Sequence, residues 1–334
     1  MNPTIKDVAK KAGVSLSTVS LVLNHKKNVS EETVKKVQQA IDELDYHPRR
    51  SAQGLASKKS GNIGFILTTD HFSNAEPFYT KIFLGSEFEA RKHNYYIILT
   101  TVEQKFNKKS IPRLLLERNV DGVILAGKVP DGLIHYIQQI DLPIIFIDYF
   151  PANGNYPAVL IDNIAGAKQA VKHLIKKGHR QISFVGGDIS HPSIQERYLG
   201  YKQALEEAKI PFNEHLVILD EDYPGDKNGY SALCKLRKRK VSFTAIFAAN
   251  DAMAFGCMRC MKEKGIKVPD QIALVGFDDV DVSWQMEPQL TTIRVNKEEI
   301  GAIAVKNMVD LILSNKKSLG KILVPVELVI RSST

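Results

Sequence analysis

Only three cysteines occur in the 334 residues, Cys234, Cys257 and Cys260, too few for a disulfide framework. No apolar run approaches the roughly 18–20 residues that a membrane-spanning helix needs. The opening MNPTIKDVAKKAGVS lacks the apolar stretch of a secretory signal. A cytoplasmic protein is therefore expected, with no membrane partner, and a secreted binding protein for transport is disfavoured. Cys257 and Cys260 form a C-x-x-C pair, but inside the apolar, helix-like DAMAFGCMRCMKEKG and without further ligands at matching spacing. Both read as buried structural cysteines, and neither a metal nor another cofactor is expected. Catalytic fingerprints are missing too: there is no G-x-S-x-G and no Walker loop. An α/β enzyme would have to rely on Asp251, Asp278 or Asp279, and Gly186–Gly187 is too short to signal phosphate binding. An enzyme is not expected, and no catalytic residue is assigned.

What is present is unevenly charged. A chain of this length holds two or three folding units. Its formal net charge is +8, and residues 1–60 carry 11 Lys/Arg against 6 Asp/Glu. More than half of the excess thus lies in under a fifth of the length, as in an arm that touches phosphates.

Within that arm Ile5, Val8, Ala9 and Ala12 follow the i, i+3, i+4, i+7 rule for one helical face. Gly13 suits the tight turn that follows, because it accepts positive φ without steric cost. Ser15 is a good N-cap for a second helix. At about 100° per residue, Thr18, Val19, Val22 and Leu23 share one side of it. Leu16, Ser17, Ser20, Leu21 and Asn24 share the other, an outward and uncharged face of the kind that lies in a major groove. A third helix follows Ser30, with Glu31 and Glu32 at its positive end and Val34, Val37, Ile41 and Leu44 as its core stripe. Spacing alone leaves open a small three-helix bundle that binds protein instead.

The segment TIKDVAKKAGVSLSTVSLVLNHKKNVSEETVKKVQQAIDELDYHPRRSAQGLASKKSGNIGFI resembles the DNA-binding headpiece of the LacI/GalR repressor family. D-V-A-x-x-A-G-V-S-x-x-T-V-S is a specific signature, and the match has no gap. The resemblance implies an all-α helix-turn-helix headpiece at 1–46 and a hinge helix or linker at 47–60. It makes Leu16 and Ser17 the first base-reading pair and Leu21 a later one. Thr18, Ser20, Asn24 and Asn28 would hold backbone phosphates, and Thr4 would be a further DNA-binding residue. Leu21 departs from the Arg or polar residue common there; it can touch a thymine methyl but cannot form the bidentate bond to guanine. In the hinge, Leu55 would wedge into the minor groove, Ala52 would let paired helices approach, and Arg49, Arg50, Lys58 and Lys59 would meet phosphates. Arg49 stands where the family often has Asn.

From residue 61 onwards short β-branched runs alternate with amphipathic helices. Strands are expected at 63–67, 95–99, 122–126, 143–148 and 158–162, and again at 181–186, 216–219, 245–249 and 272–276. Helices include 164–177, 197–209 and 296–314. Such alternation means parallel sheets covered on both faces, here in two lobes. Ligands bind beyond the carboxyl ends of such strands, where Asp148, Tyr149, Asp162, Asn250, Asp251, Asp278 and Asp279 stand, with His191, Ser193, Arg197 and Tyr223 in nearby loops. Phe78, Tyr149, Tyr223 or Trp284 would stack on a sugar ring. Taken singly, each has a plainer reading, such as the N-cap role of an Asn before a helix.

QERYLGYKQAL (195–205), AANDAMAFG (248–256), VGFDD (275–279) and QLTTIR (289–294) resemble, in order, the sensor motifs of the same family. They imply an α/β, two-lobed, periplasmic-binding-protein-like sensor core over 61–334, with the N-lobe at 61–161 and 292–321 and the C-lobe at 162–291 and 322–334. Arg197 and Asp278 would be central effector contacts, with Asn250 or Asp251, Asp162, Tyr149 and Tyr223 secondary. His191 and Ser193 align with variable effector-contacting positions, and Asp70, Phe78 and Tyr79 would contribute from the N-lobe. The implied function is a homodimeric repressor of carbohydrate-utilisation genes that binds palindromic double-stranded operator DNA under allosteric control by a small sugar-like effector. A purine or a phosphoprotein as the controlling partner is the alternative within the family. The chain stops before a leucine-heptad tail, which favours a dimer over a tetramer.

Overall fold

The computed structural model describes residues 3–23, 29–46, 59–73, 77–151, 155–314 and 320–334. They fall into two units, Met1–Gly61 and Asn62–Thr334. The hinge assignments to Arg49, Ala52 and Leu55, and the phosphate contacts assigned to Asn24 and Asn28, lie outside the described residues.

The first unit contains α1 (Ile5–Ala12), α2 (Leu16–Leu23) and α3 (Glu31–Leu44). Gly13 ends α1 at φ 66 with its amide on Ala9 O, the left-handed stop expected of it. Ser15 Oγ accepts from the Thr18 amide at 3.1 Å and Ser30 Oγ from Thr33 N at 3.4 Å. Caps of this kind contribute about 1 kcal/mol each. Val8, Ala9, Val19, Val22, Val37, Ala40 and Tyr46 form the buried core. The stripe on α3 differs from expectation at one end. Val34 is 39% exposed, because it sits in the first turn, beyond the reach of the other two helices. Ala40 takes a core place instead.

The second unit is built on two parallel sheets. The larger comprises β1 (Asn62–Thr68), β2 (Tyr96–Val102), β3 (Gly122–Ala126), β4 (Ile144–Ile147), β5 (Ala158–Ile161) and, from the far end of the chain, β11 (Lys321–Val324). Its order is β11-β5-β4-β3-β1-β2, with all pairs parallel. The smaller runs β7-β6-β8-β9, from β6 (Ile182–Val185), β7 (Val217–Ile218), β8 (Ala245–Ala248) and β9 (Ala273–Val275). Every residue of β3, β4, β6 and β8 is buried, which is why these strands read as unbroken apolar runs in the sequence. All nine strands expected from that pattern form.

Three further strands did not stand out in the sequence. β10 (Thr292–Arg294) and β12 (Glu327–Val329) pair antiparallel where the chain passes between the lobes, and β11 joins the N-lobe sheet beside β5. Sheet membership therefore runs to Val324, three residues past the expected crossing at 321. Strands of three or four residues are defined by distant partners, not by local alternation.

The long helix Lys297–Ser314 packs on Pro77–Lys92 through paired glycines. A Cβ on Gly301 would collide with Ile82 O and the Ser86 amide, and one on Gly85 with Glu298 O. The C-lobe repeats the device between Asp226–Lys238 and Asp251–Glu263, where Gly229 faces Met253 O and Gly256 faces Asp226 O. The obstacles are backbone atoms that cannot swing aside. We expect Gly301→Ala to lose about 1–3 kcal/mol of sensor stability, read as a lower denaturation midpoint; an unchanged midpoint would show that the helices do not meet this closely.

Candidate functional site

Two surfaces carry chemistry. On the first unit, α2 turns Val19 and Val22 into the core and leaves Leu16 (44%) and Leu21 (39%) exposed, with Ser17 exposed between them. Ser15 Oγ lies 2.6 Å from Ser17 Oγ and 2.9 Å from Thr18 Oγ1, so the cap residue also orders the hydroxyls at the start of the face. Thr18 and Ser20 flank it, half-buried. Thr4 is occupied locally: its amide and hydroxyl both donate to Asp7 Oδ2, at 2.8 and 2.7 Å. The outward face is thus aliphatic and hydroxylic, suited to thymine methyls and base-edge hydrogen bonds.

On the second unit, a cavity of about 500 Å³ opens beyond the carboxyl ends of the strands. Of the effector contacts expected from sequence, Phe78, Tyr79, His191, Ser193, Arg197, Tyr223, Asn250 and Asp278 line it. Four others are placed elsewhere. Asp70 accepts from Gln104 Nε2 at 2.8 Å and faces a separate surface hollow. Tyr149 packs edge-on against Phe146, centroids 6.2 Å apart, behind the cavity wall. Asp162 caps the helix Asn163–Lys176, accepting from Ala165 N at 3.0 Å. Asp251 is buried among loop donors, accepting from Val280 N at 2.9 Å, Ser283 Oγ at 2.6 Å and Thr292 Oγ1 at 2.5 Å. Trp284 is 54% exposed on a short 3₁₀ turn and is not among the lining residues.

Arg197 organises the C-lobe wall. Its Nε donates to Asn163 Oδ1 at 2.9 Å, Nη1 to Ala249 O at 2.7 Å and Nη2 to Asp278 Oδ1 at 3.2 Å. The guanidinium carbon lies 3.8 Å over the Phe277 ring. Both ionic partners are buried, so losing one would strand the other at about 3–5 kcal/mol. Burial pushes the Asp278 carboxyl up to about 6 against the opposing pull of Arg197 and Lys297. Beneath it, burial raises Asp251 to about 7, with Asp278 adding to the shift. Asn250 caps the next helix, its Oδ1 accepting from Met253 N at 2.8 Å while its amide donates to Pro224 O at 2.8 Å. Its cap role and its place on the cavity wall coexist.

Asp148, one of the strand-end polar residues, joins the lobes. At φ 57 it turns its carboxylate into the cleft, accepting from Tyr79 OH and from Ser193 Oγ, both at 3.0 Å. His191 Nδ1 lies 3.3 Å from the Ser193 amide and 3.0 Å from Ser193 Oγ. His71, Gln104, Phe106, Lys128, Asp131, Asp188 and Asp222 also line the cavity and were not singled out. Lys128 and Asp131 follow β3, Asp188 follows β6, and Gln104 and Phe106 follow β2, so the strand-end rule reaches all five.

His71 stacks on Tyr79 with centroids 4.8 Å apart, and its buried Nδ1 has no hydrogen-bond partner among the described residues. Burial, reinforced by His191, holds its imidazole down to about 4. A folded value below the unfolded one near 6.5 means that the unfolded chain binds the proton more readily. The stability that His71 contributes is complete above about pH 6.5 and is lost as pH falls towards 4. We expect His71→Gln to remove about 2 kcal/mol of the stability loss between about pH 7.5 and pH 5, measured by urea denaturation. An identical pH slope in variant and wild type would contradict a neutral buried ring.

Residues 4–49 match the model of bacterial regulatory proteins of the lacI family, and residues 171–334 that of the periplasmic binding protein-like domain. Catabolite control protein A of Priestia megaterium is 35% identical over 309 residues, covering 92% of this chain and 91% of that protein. The HTH-type transcriptional repressor PurR of Pasteurella multocida (strain Pm70) is 33% identical over 333 residues, covering 99% and 98%. Among solved structures, the lac repressor dimer bound to operator and the anti-inducer ONPF superposes with a TM-score of 0.83 at 29% identity, covering 100% of this chain and 99% of that one. The transcriptional regulator CelR–cellobiose complex gives 0.75 at 30% identity, covering 99% and 100%. No described helix is long and apolar enough to cross a membrane. With its headpiece, its two-sheet core and relatives matched over nearly their full length, the chain belongs to the lacI family of bacterial regulatory proteins, DNA-binding transcriptional regulators with an effector-binding core.

Proposed function

We propose that the protein is a cytoplasmic, homodimeric repressor of carbohydrate-utilisation genes whose affinity for a palindromic operator is set by a small sugar-like effector in the cleft. The observation that carries the reading is the cavity itself: a buried guanidinium–carboxylate pair, Arg197 and Asp278, beside Asn250, Asp148 and the aromatic rings of Phe78 and Tyr223. Amide and carboxylate groups of this kind receive several hydroxyls by bidentate bonds, and ring faces receive the apolar side of a sugar. Phe78 comes from the N-lobe, Arg197 and Asp278 from the C-lobe. A ligand touching both favours one lobe arrangement, and it shifts the equilibrium by the difference in its affinity for the two.

Leu84 (41% exposed) and Phe88 (55%), one turn apart on the helix Pro77–Lys92, support pairing of two copies, as does Tyr96 (64%) at the start of the edge strand β2. A two-fold pair requires an approximately palindromic site. The lac repressor structure named above is that of a dimer on operator, and the CelR structure holds cellobiose; both agree with this reading.

The test is anisotropy of a labelled palindrome from the gene's upstream region. Six to ten phosphate contacts lower affinity by roughly 10³–10⁵ between 50 and 200 mM salt, and one sugar of a screened panel should shift the isotherm at fixed salt. Binding without sequence preference, or an isotherm that responds to purines or a phosphoprotein and to no sugar, would refute the proposal.

A further inference from the structure

The charges lining the effector cavity bear on what charge its ligand carries, given the reading of that cavity above. Among the described lining residues, Asp131, Asp148, Asp188, Asp222 and Asp278 are carboxylates, and only Lys128 and Arg197 are permanent cations. The buried cation already faces the carboxylate of Asp278, and the other stands exposed to water. Arg197 is held by Asn163, Ala249 O and Asp278. Lys128 Nζ donates to Ser190 Oγ at 3.3 Å, and that hydroxyl donates in turn to Asp188 at 2.6 Å. The imidazoles of His71 and His191 supply no positive charge at neutral pH, because burial holds both below the usual range. Two helix N-termini reach the cavity and would favour an anion. Each cap already accepts one of those amides, His191 from Ser193 N and Asn250 from Met253 N.

A cationic ligand is served little better. Both oxygens of Asp148 accept hydroxyls, Asp188 is satisfied by Ser190, and Asp278 faces Arg197. Asp131 and Asp222 are exposed, so water weakens their field at the cavity without abolishing it. What the interior offers is hydrogen bonding and ring surface: Phe78 and Phe106 from the N-lobe and Tyr223 from the C-lobe. The volume of about 500 Å³ exceeds what one pyranose fills and falls within the roughly 300–1,000 Å³ that encloses a ligand of drug size.

We propose that the cavity selects an uncharged, polyhydroxylated ligand of more than one sugar ring and rejects phosphorylated sugars through its surplus of carboxylates over available cations. The test uses the full chain near neutral pH, with titration calorimetry of cellobiose, maltose, sucrose and trehalose, each against its 6-phosphate, and of glucose and glucosamine. At least one neutral disaccharide should bind about 100-fold or more tightly than its phosphate, the scale of a like-charge juxtaposition, and more tightly than glucose or glucosamine. In Asp131→Asn/Asp222→Asn, two exposed substitutions, the gap between neutral and phosphorylated forms should narrow severalfold. A phosphate, glucose or glucosamine that binds tightest overturns this inference and leaves the effector reading of the cavity intact. Failure of every sugar, with operator affinity unmoved, overturns the reading of the cavity itself.

Discussion

The sensor depends on one buried guanidinium. Arg197 joins three separate stretches of chain: Asn163 at the start of the first C-lobe helix, the carbonyl of Ala249 at the end of β8, and Asp278 in the loop after β9. The planar fork and the Phe277 face fix its orientation, as lysine's single ammonium would not. A charge so buried is tolerated only while every partner is present. The same arrangement that holds the wall together is therefore intolerant of error, and it leaves a polar, shaped surface in a place where an apolar core would have been more stable.

The loop carrying Asp278 is held at unusual backbone angles, φ 110 at Asp278 and φ 50 at Asp279. Such conformations persist only when their surroundings over-determine them. Here Asp251 accepts three donors from the loop and from β10, Lys297 donates to the carbonyls of Asp278 and Asp279, and Arg294 and Arg331 grip the Asp279 carboxylate at 2.7 and 2.6 Å. Lys297 begins the long N-lobe helix and Arg331 lies two residues beyond β12. The binding wall is thus tied to the segments that cross between the lobes. Asp148, with one hydroxyl donor from each lobe, closes the same circuit from the other side.

Much of this could be read from the sequence, for physical reasons that differ by element. Parallel strands covered on both faces are short continuous apolar runs, and the edge strand β2 is one as well, so β1 to β9 were visible. The outward set Leu16, Ser17 and Leu21 followed from helical periodicity alone, whereas assigning it to base edges rested on family resemblance. Legibility stopped where orientation depends on distant partners. Asn250 and Asp251 are adjacent at one strand end, yet the first caps the helix from the cavity wall and the second turns under the 280–292 loop. Asp70, Tyr149 and Asp162 stand at plausible strand ends, but a local donor or a packing face claims each of them. Asp148 gained its place from a positive φ that no motif announces. Val34 fitted the core stripe of its helix and still lies outside, because the bundle ends before reaching it.

The most direct test of the account is the change in operator affinity produced by saturating effector, measured in wild type and in Arg197→Lys. The substitution keeps the charge and removes the fork. The account predicts that operator binding without effector retains its salt dependence while the effector-induced change falls by about tenfold or more, the loss of one charged hydrogen bond in the cleft. An effector response equal to that of wild type would contradict the central place given to Arg197.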